Sequence, residues 1–178
     1  PNVDTAGSAV ISIAIRFNDV LYVFGYDEPA GCSIERTLAA RDIKYFSCDD
    51  EKDLLIKFLI CWREHSPDII TGWNVSGFDI PYLYNRIIRI FPKGEEVVRA
   101  LSPWNYVSSR NVYGMYGKEQ LAVDISGVSI LDYLDLYKKF TYANRESYRL
   151  DYIANVELGE SKLSYSEFGS LHTLYKRD

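Results

Sequence analysis

Cysteine, histidine and unbroken apolar sequence are all scarce in this 178-residue chain. The three cysteines, Cys32, Cys48 and Cys61, have no close pairing and an odd count, which reads as a reduced, intracellular chain and not a disulfide scaffold. The two histidines, His65 and His172, lie far apart and read as remote from any cysteine, which argues against zinc. No apolar run approaches the ~18 residues of a membrane span, and no signal-peptide pattern opens the chain. No membrane partner is therefore expected. Positive charge is also in deficit, with 20 Lys and Arg against 25 Asp and Glu, a net charge of −5. A free-standing duplex-DNA binder is usually basic. Any contact with nucleic acid must then be local, through a few residues or through metal ions.

The chain is rich in apolar residues (47%) and in tyrosine, 15 residues against 8 Phe and 3 Trp. That content supports one sizeable core. Tyrosine suits half-buried positions and surfaces that meet a planar partner, and core packing explains most of it. Residues 9–17 and 20–26 read as a β-hairpin turning at Asn18-Asp19. Residues 27–42 read as an irregular excursion, and Ile43 to Phe46 as a third strand. Ser47 to Asp50, with Glu51 and Asp53, form a capping cluster for a helix. Its apolar face is Leu54, Leu55, Phe58, Leu59 and Trp62, and Pro67 blocks its continuation.

A short strand, Asp68 to Thr71, follows, parallel to its predecessor if the helix is a crossover. A helix from about Ile80 to Phe91 buries Ile80, Leu83, Ile87 and Phe91, leaving Asn85, Arg86 and Arg89 outside the stripe. Residues 95–106 read as a short helix and loop. Ser109 to Met115 and Gln120 to Ile125 read as paired strands, and Val128 to Leu131 as a core strand. Helices are expected over Asp132 to Phe140 and Tyr148 to Val156. Residues 161–178 are weakly patterned. The order predicts an α/β fold with a mixed sheet flanked by helices and an inserted β-hairpin.

The stretch Thr71-Gly72-Trp73-Asn74-Val75-Ser76-Gly77-Phe78-Asp79-Ile80-Pro81-Tyr82 lies where a strand's end feeds a helix, which is where α/β folds place their chemistry. Two readings of Asp79 compete there. Aspartate is among the preferred N-cap residues, so position alone favours a cap. Yet Phe78 puts an aromatic ring beside the carboxylate, suited to stacking on a base. Asn74 brings an amide able to hold a sugar or phosphate oxygen, and Gly72 and Gly77 permit close backbone approach.

Asn74-Val75-Ser76-Gly77-Phe78-Asp79-Ile80-Pro81-Tyr82 resembles the second exonuclease motif of the family B DNA polymerases: Asn, three residues, Phe-Asp, then Pro-Tyr. Gly127 to Phe140 (GVSILDYLDLYKKF) and Ser147 to Ala154 (SYRLDYIA) are similar to the T-even-like bacteriophage branch of that family. The resemblance runs from about residue 9 to at least residue 165. It implies a ribonuclease-H-like fold and 3′→5′ proofreading chemistry on single-stranded DNA at a primer-template end. In such sites carboxylates hold two divalent ions about 3.5–4 Å apart, with Mg²⁺ (or Mn²⁺) expected from the hard oxygen ligands. Asp79 is implied as catalytic residue and metal ligand, with Asn74 and Phe78 binding substrate. Arg110 to Leu121 is similar to the hairpin by which such phage polymerases help separate primer from template. On that hairpin Arg110, Tyr116 and Lys118 are the implied DNA contacts; an ordinary exposed hairpin with a turn glycine is the competing reading.

The family's other carboxylates have no counterpart in the expected places. No Asp-x-Glu precedes the hairpin, and Asp4 is a poor substitute because no apolar strand surrounds it. Tyr175 and Asp178 stand three apart, where the third motif has Tyr-x-x-x-Asp, and read as a coincidence. Asp132 and Asp135 read as solvated helix caps, and Lys138 and Lys139 as partners of a helix C-terminus. Both termini read as cuts within a longer protein. Residues 1–178 are thus expected to be a partial exonuclease domain whose first and third motifs lie outside the chain. Alone it is expected to be inactive, with the remaining polymerase domains as its partners and the host cytoplasm as its location if phage-encoded. A non-catalytic module that binds single-stranded DNA or braces a polymerase is the alternative.

Overall fold

A 3.6-residue apolar period and a terminal aspartate cap place the first helix where the sequence predicts it. The computed structural model describes residues 1–26, 42–113 and 119–160. The excursion at 27–41, the hairpin tip at 114–118 and the terminal segment at 161–178 lie outside the described residues. Helix α1 (Glu51–His65) starts at Asp50, whose side chain accepts from the Asp53 N–H at 2.9 Å. Asp53 in turn accepts from the Asp49 N–H at 3.0 Å, a reciprocal cap. The helix stops at Ser66, one residue before Pro67, in the left-handed conformation (φ 40°). All five residues of its expected stripe are buried, together with Cys61. One correction concerns His65: it lies one turn after Cys61, and their Sγ and Nδ1 are 3.7 Å apart. The ring also meets the Tyr22 hydroxyl at 3.0 Å and stacks on Phe17.

Strands β1 (Ser12–Phe17) and β2 (Val20–Gly25) form the expected antiparallel hairpin, and β3 (Ile43–Ser47) adds to β2 in parallel. α1 covers this sheet with Phe58, which is 2% exposed and meets Phe24 edge to face. Burying such a ring contributes about 1.5–3 kcal/mol. Strand β4 (Ile69–Gly72) does not pair with β3 among the described residues. Its parallel partner is β7 (Ser129–Asp132), with Gly72 opposite Asp132. The partner of a parallel strand is chosen by distant sequence, so chain order gave no access to it.

Helix α2 (Ile80–Ile90) buries Ile80 and Ile87 as expected, but also Arg86, which the sequence placed outside the stripe. Arg86 donates through Nε and Nη2 to the two carboxylate oxygens of Glu51, each at 2.7 Å. Its Nη1 donates to the carbonyls of Ala6 (2.7 Å) and Gly7 (3.3 Å). Tyr82, Asn85 and Arg89 donate from the same helix face to the carbonyls of Ser8, Val3 and Thr5. The spacing 82, 85, 86, 89 follows one helical face. It straps residues 3–8 along α2 without reading their side chains. A short helix α3 (Gly94–Val97) and a 3₁₀ turn (Val98–Leu101) then lead to the antiparallel pair β5 (Val107–Tyr113) and β6 (Glu119–Ile125). Helices α4 (Tyr133–Phe140) and α5 (Leu150–Leu158) complete the described chain.

Together these elements form a mixed α/β fold, consistent with the ribonuclease-H-like expectation. Among the described residues the strands form three ladders, β1–β2–β3, β4–β7 and β5–β6. Among those residues no helix is long and apolar enough to cross a membrane.

Candidate active site

The loop between β4 and α2 begins with a residue that bends the chain. Asn74 takes the left-handed conformation (φ 62°), which asparagine tolerates better than most residues. Its carbonyl accepts from the Phe78 N–H at 2.9 Å. Residues Val75–Asp79 form a single π turn, a feature frequent at functional sites. The turn runs straight into α2, and the Ile80 N–H donates back to the Val75 carbonyl.

That continuity removes the capping reading of Asp79. A capping residue needs non-helical backbone, whereas Asp79 is helical (φ −63°, ψ −51°) and its side chain caps nothing. The carboxylate is open to water at the mouth of a cleft. The protein around it still removes enough solvent to push its carboxyl above the usual aspartate range, chiefly by desolvation. Its own N–H opposes that rise, and the nearby Asp132 charge adds to it. An accessible carboxylate that is not a cap, and that prefers neutralisation, is suited to meeting a cation.

The cleft has a volume of about 540 Å³ and is mostly apolar. Ser12 to Ile15 of β1 and Ile70 to Gly72 of β4 line it, together with Phe78 and Asp79 of the loop. β1 and β4 are both edge strands among the described residues. Phe78 is stacked on Tyr82, with ring centroids 5.5 Å apart. Gly77 serves the loop itself: a Cβ there would lie 2.6 Å from the Asn74 Oδ1. The glycine makes room for the Asn74 amide, a use more local than the ligand approach expected of it. At Gly72 a Cβ would meet Val75 at 3.3 Å.

Sequence reasoning undervalued Asp132. It caps α4 as expected, accepting from the Leu134 N–H at 2.9 Å, but it is 7% exposed and not solvated. Its carboxylate also accepts from the Asn74 N–H, the Ser76 N–H and the Ser76 hydroxyl. Asp135 is exposed, in keeping with a solvated position. Trp73 packs against Tyr133 and Tyr137, and its indole N–H donates to the Tyr148 carbonyl at 3.1 Å. This anchors the loop from its other flank. Lys138 sits 5.2 Å above the Tyr148 ring, so it does more than face the helix C-terminus.

On the hairpin, Arg110 pairs with Asp124 at 3.0 Å, with both side chains largely exposed. Such pairs are worth little, about 0.2–1 kcal/mol, and leave the guanidinium exchangeable. Tyr116, Lys118, Met115 and Asp178 lie outside the described residues. Asp4 is exposed, on the strapped segment. Among the described residues no three His, Cys, Asp or Glu side chains converge on a metal position. Asp79 fits one ligand position of a divalent-ion site, and these residues alone do not complete the set.

Residues 1–153 match the profile of the exonuclease domain of DNA polymerase family B. The chain belongs to that family. It is 47% identical over 123 residues to a DNA-directed DNA polymerase of Escherichia phage RB69, covering 69% of this chain and 13% of the phage protein. The DNA-directed DNA polymerase of Enterobacteria phage T4 is 43% identical over 121 residues, again 13% of that protein. A DNA polymerase catalytic subunit of rat cytomegalovirus is 31% identical over 133 residues, covering 71% of this chain and 11% of the viral protein. The chain thus spans about an eighth of the length of the phage polymerases it matches. The family and phage branch suggested by the 74–82 motif and by the 127–140 and 147–154 stretches agree with these matches. As an exonuclease domain of family B, this is a nuclease-type domain, a class that generally uses divalent metals.

Proposed function

We propose that this chain is part of the 3′→5′ proofreading exonuclease domain of a DNA polymerase, with single-stranded 3′ ends of primer DNA as substrate. Asp79 carries the reading: a carboxylate at a cleft mouth, on the family's second motif, and not used as a helix cap. In this role Asp79 is the catalytic metal ligand contributed by the described residues. When Mg²⁺ or Mn²⁺ is bound, a pair of such ions supplies charge neutralisation and an activated water. In this reading the Asn74 amide would hold a sugar or phosphate oxygen. The Phe78 ring, stacked on Tyr82, would pack on a base. Arg110, and with it Tyr116 and Lys118 of the same motif, would meet the strand as it leaves the duplex.

Residues 1–178 form a partial domain in this reading, with the first and third motifs contributed by sequence outside them. The cleft supports it. Residues of two edge strands, β1 and β4, line it, the lining is mostly apolar, and Asp79 is part of that lining. An extended strand seated between β1 and β4 would join two ladders into one sheet and bring its own carboxylates to Asp79. Strand addition of this kind uses the unpaired main-chain groups of an edge.

The test is metal-dependent degradation of a single-stranded oligonucleotide by the full polymerase chain, wild type against Asp79→Ala. The expected result is loss of degradation with elongation retained. A wild-type chain that binds single-stranded DNA and never shortens it would favour the non-catalytic module.

A further inference from the structure

We infer that Asp132 is a positioning residue for Asp79, and that its carboxylate is a staple rather than a metal ligand. The inference rests on the exonuclease reading and adds a residue to it. Asp132 ends β7, opposite Gly72 on β4, so the sheet register carries it directly under the loop. Oδ1 accepts from the N–H groups of Asn74 and Leu134, both at 2.9 Å. Oδ2 accepts from the Ser76 N–H at 2.9 Å and from the Ser76 hydroxyl at 2.7 Å. Both oxygens thus bind the loop, and one of them also binds the start of α4.

Asn74 and Ser76 flank Val75, where the π turn to Asp79 begins. Fixing both of their N–H groups on one buried carboxylate sets the loop's origin and therefore the direction of Asp79. Charge-assisted bonds of this kind are among the stronger ones available to backbone donors. Each Asp132 oxygen already accepts two bonds, so coordinating a cation would require releasing some of them. Asp79 has no capping bond to lose. Two aspartates near the cleft therefore take different roles: Asp79 meets the cation and Asp132 orients the loop that carries it. Partners that orient a metal ligand in this way typically change affinity or activity about 10–100-fold when removed.

Asp132→Asn keeps the size of the side chain but turns an NH₂ group toward donors. Ser76→Ala removes one bond on the loop side and leaves the α4 cap intact. The measurement is exonuclease rate against Mn²⁺ concentration in the full polymerase chain, with thermal unfolding followed in parallel. Asp132→Asn should lower the maximal rate about 10–100-fold and raise the half-saturating Mn²⁺ concentration. Ser76→Ala should move both quantities the same way by less. In the double variant the effects should fall short of the product of the single ones, because both act through Oδ2. If Asp132→Asn fails to fold, Ser76→Ala alone carries the test. Loss of activity in Asp79→Ala, with a wild-type rate and metal response in every Asp132 and Ser76 variant that folds, would assign Asp132 to capping α4 and overturn the inference. Full activity in Asp79→Ala would overturn the exonuclease reading beneath it.

Discussion

Replacing Arg86 by Met removes a side chain that joins α1, α2 and the strapped N-terminal segment. In the native chain Arg86 and Glu51 side chains are only 10% and 13% exposed, and their two bonds are 2.7 Å long. Without the guanidinium, Glu51 keeps the Val10 N–H at 2.7 Å as its remaining donor among those described. Breaking a buried pair costs about 3–5 kcal/mol. The carbonyl of Ala6, a residue with no exposed surface, loses its Arg86 partner as well, a further cost of about 1–3 kcal/mol. Glu51 retains some access to water and can partly rehydrate, which pulls the total toward about 3–4 kcal/mol. Against a native stability of about 5–15 kcal/mol this is a large fraction. Urea unfolding followed by circular dichroism reads it directly. At an m-value of about 2 kcal/mol per molar, the midpoint should fall by about 1.5–2 M. Glu51→Gln should be less than additive with Arg86→Met, with a coupling of about 0.5–3 kcal/mol. A loss below about 1 kcal/mol, or strict additivity, would place the pair with ordinary surface ion pairs and refute the strap.

Gly94→Ala should destabilise by about 1–3 kcal/mol in the same assay, since its Cβ would stand 2.3 Å from the Ile88 Cα and backbone cannot move aside cheaply. Unchanged stability would mean that α3 is free to shift away from α2. Asp79→Asn should raise the melting temperature at pH 7 while abolishing nuclease activity. The folded state raises the Asp79 pKa, so its contribution to stability is present below the unfolded pKa and lost as pH rises through the folded one. The thermal gain of the Asn variant should therefore vanish on acidification below the carboxylate range. A gain that persists in acid would point to a cause other than charge.

Local pattern carried far in this sequence where the determinants are themselves local. The α1 stripe, its aspartate cap, the β1–β2 hairpin and the β5–β6 pair follow from period, capping and turn chemistry. Arg86 was misplaced because its partner Glu51 is 35 residues away and looks, in sequence, like one more member of a capping cluster. Asp132 shows the same limit. Its cap on Leu134 is two residues away and legible, while its bonds to Asn74 and Ser76 span 58 and 56 residues. The β4–β7 pairing that brings them together is also non-local. Asp79 was ambiguous for another reason: a π turn has no simple periodic signature, and it is this turn that frees the carboxylate from capping. For Arg86 and Asp132, buried partners far along the chain, more than neighbours in sequence, set the role.

The most direct measurement is Mn²⁺-dependent release of nucleotides from a 3′-mispaired primer by the full polymerase chain, wild type beside Asp79→Ala. The expected result is a fall beyond the ~100-fold typical of outer partners, with primer elongation intact. Equal release by the two proteins would contradict the assignment of Asp79 as a ligand of the nuclease site.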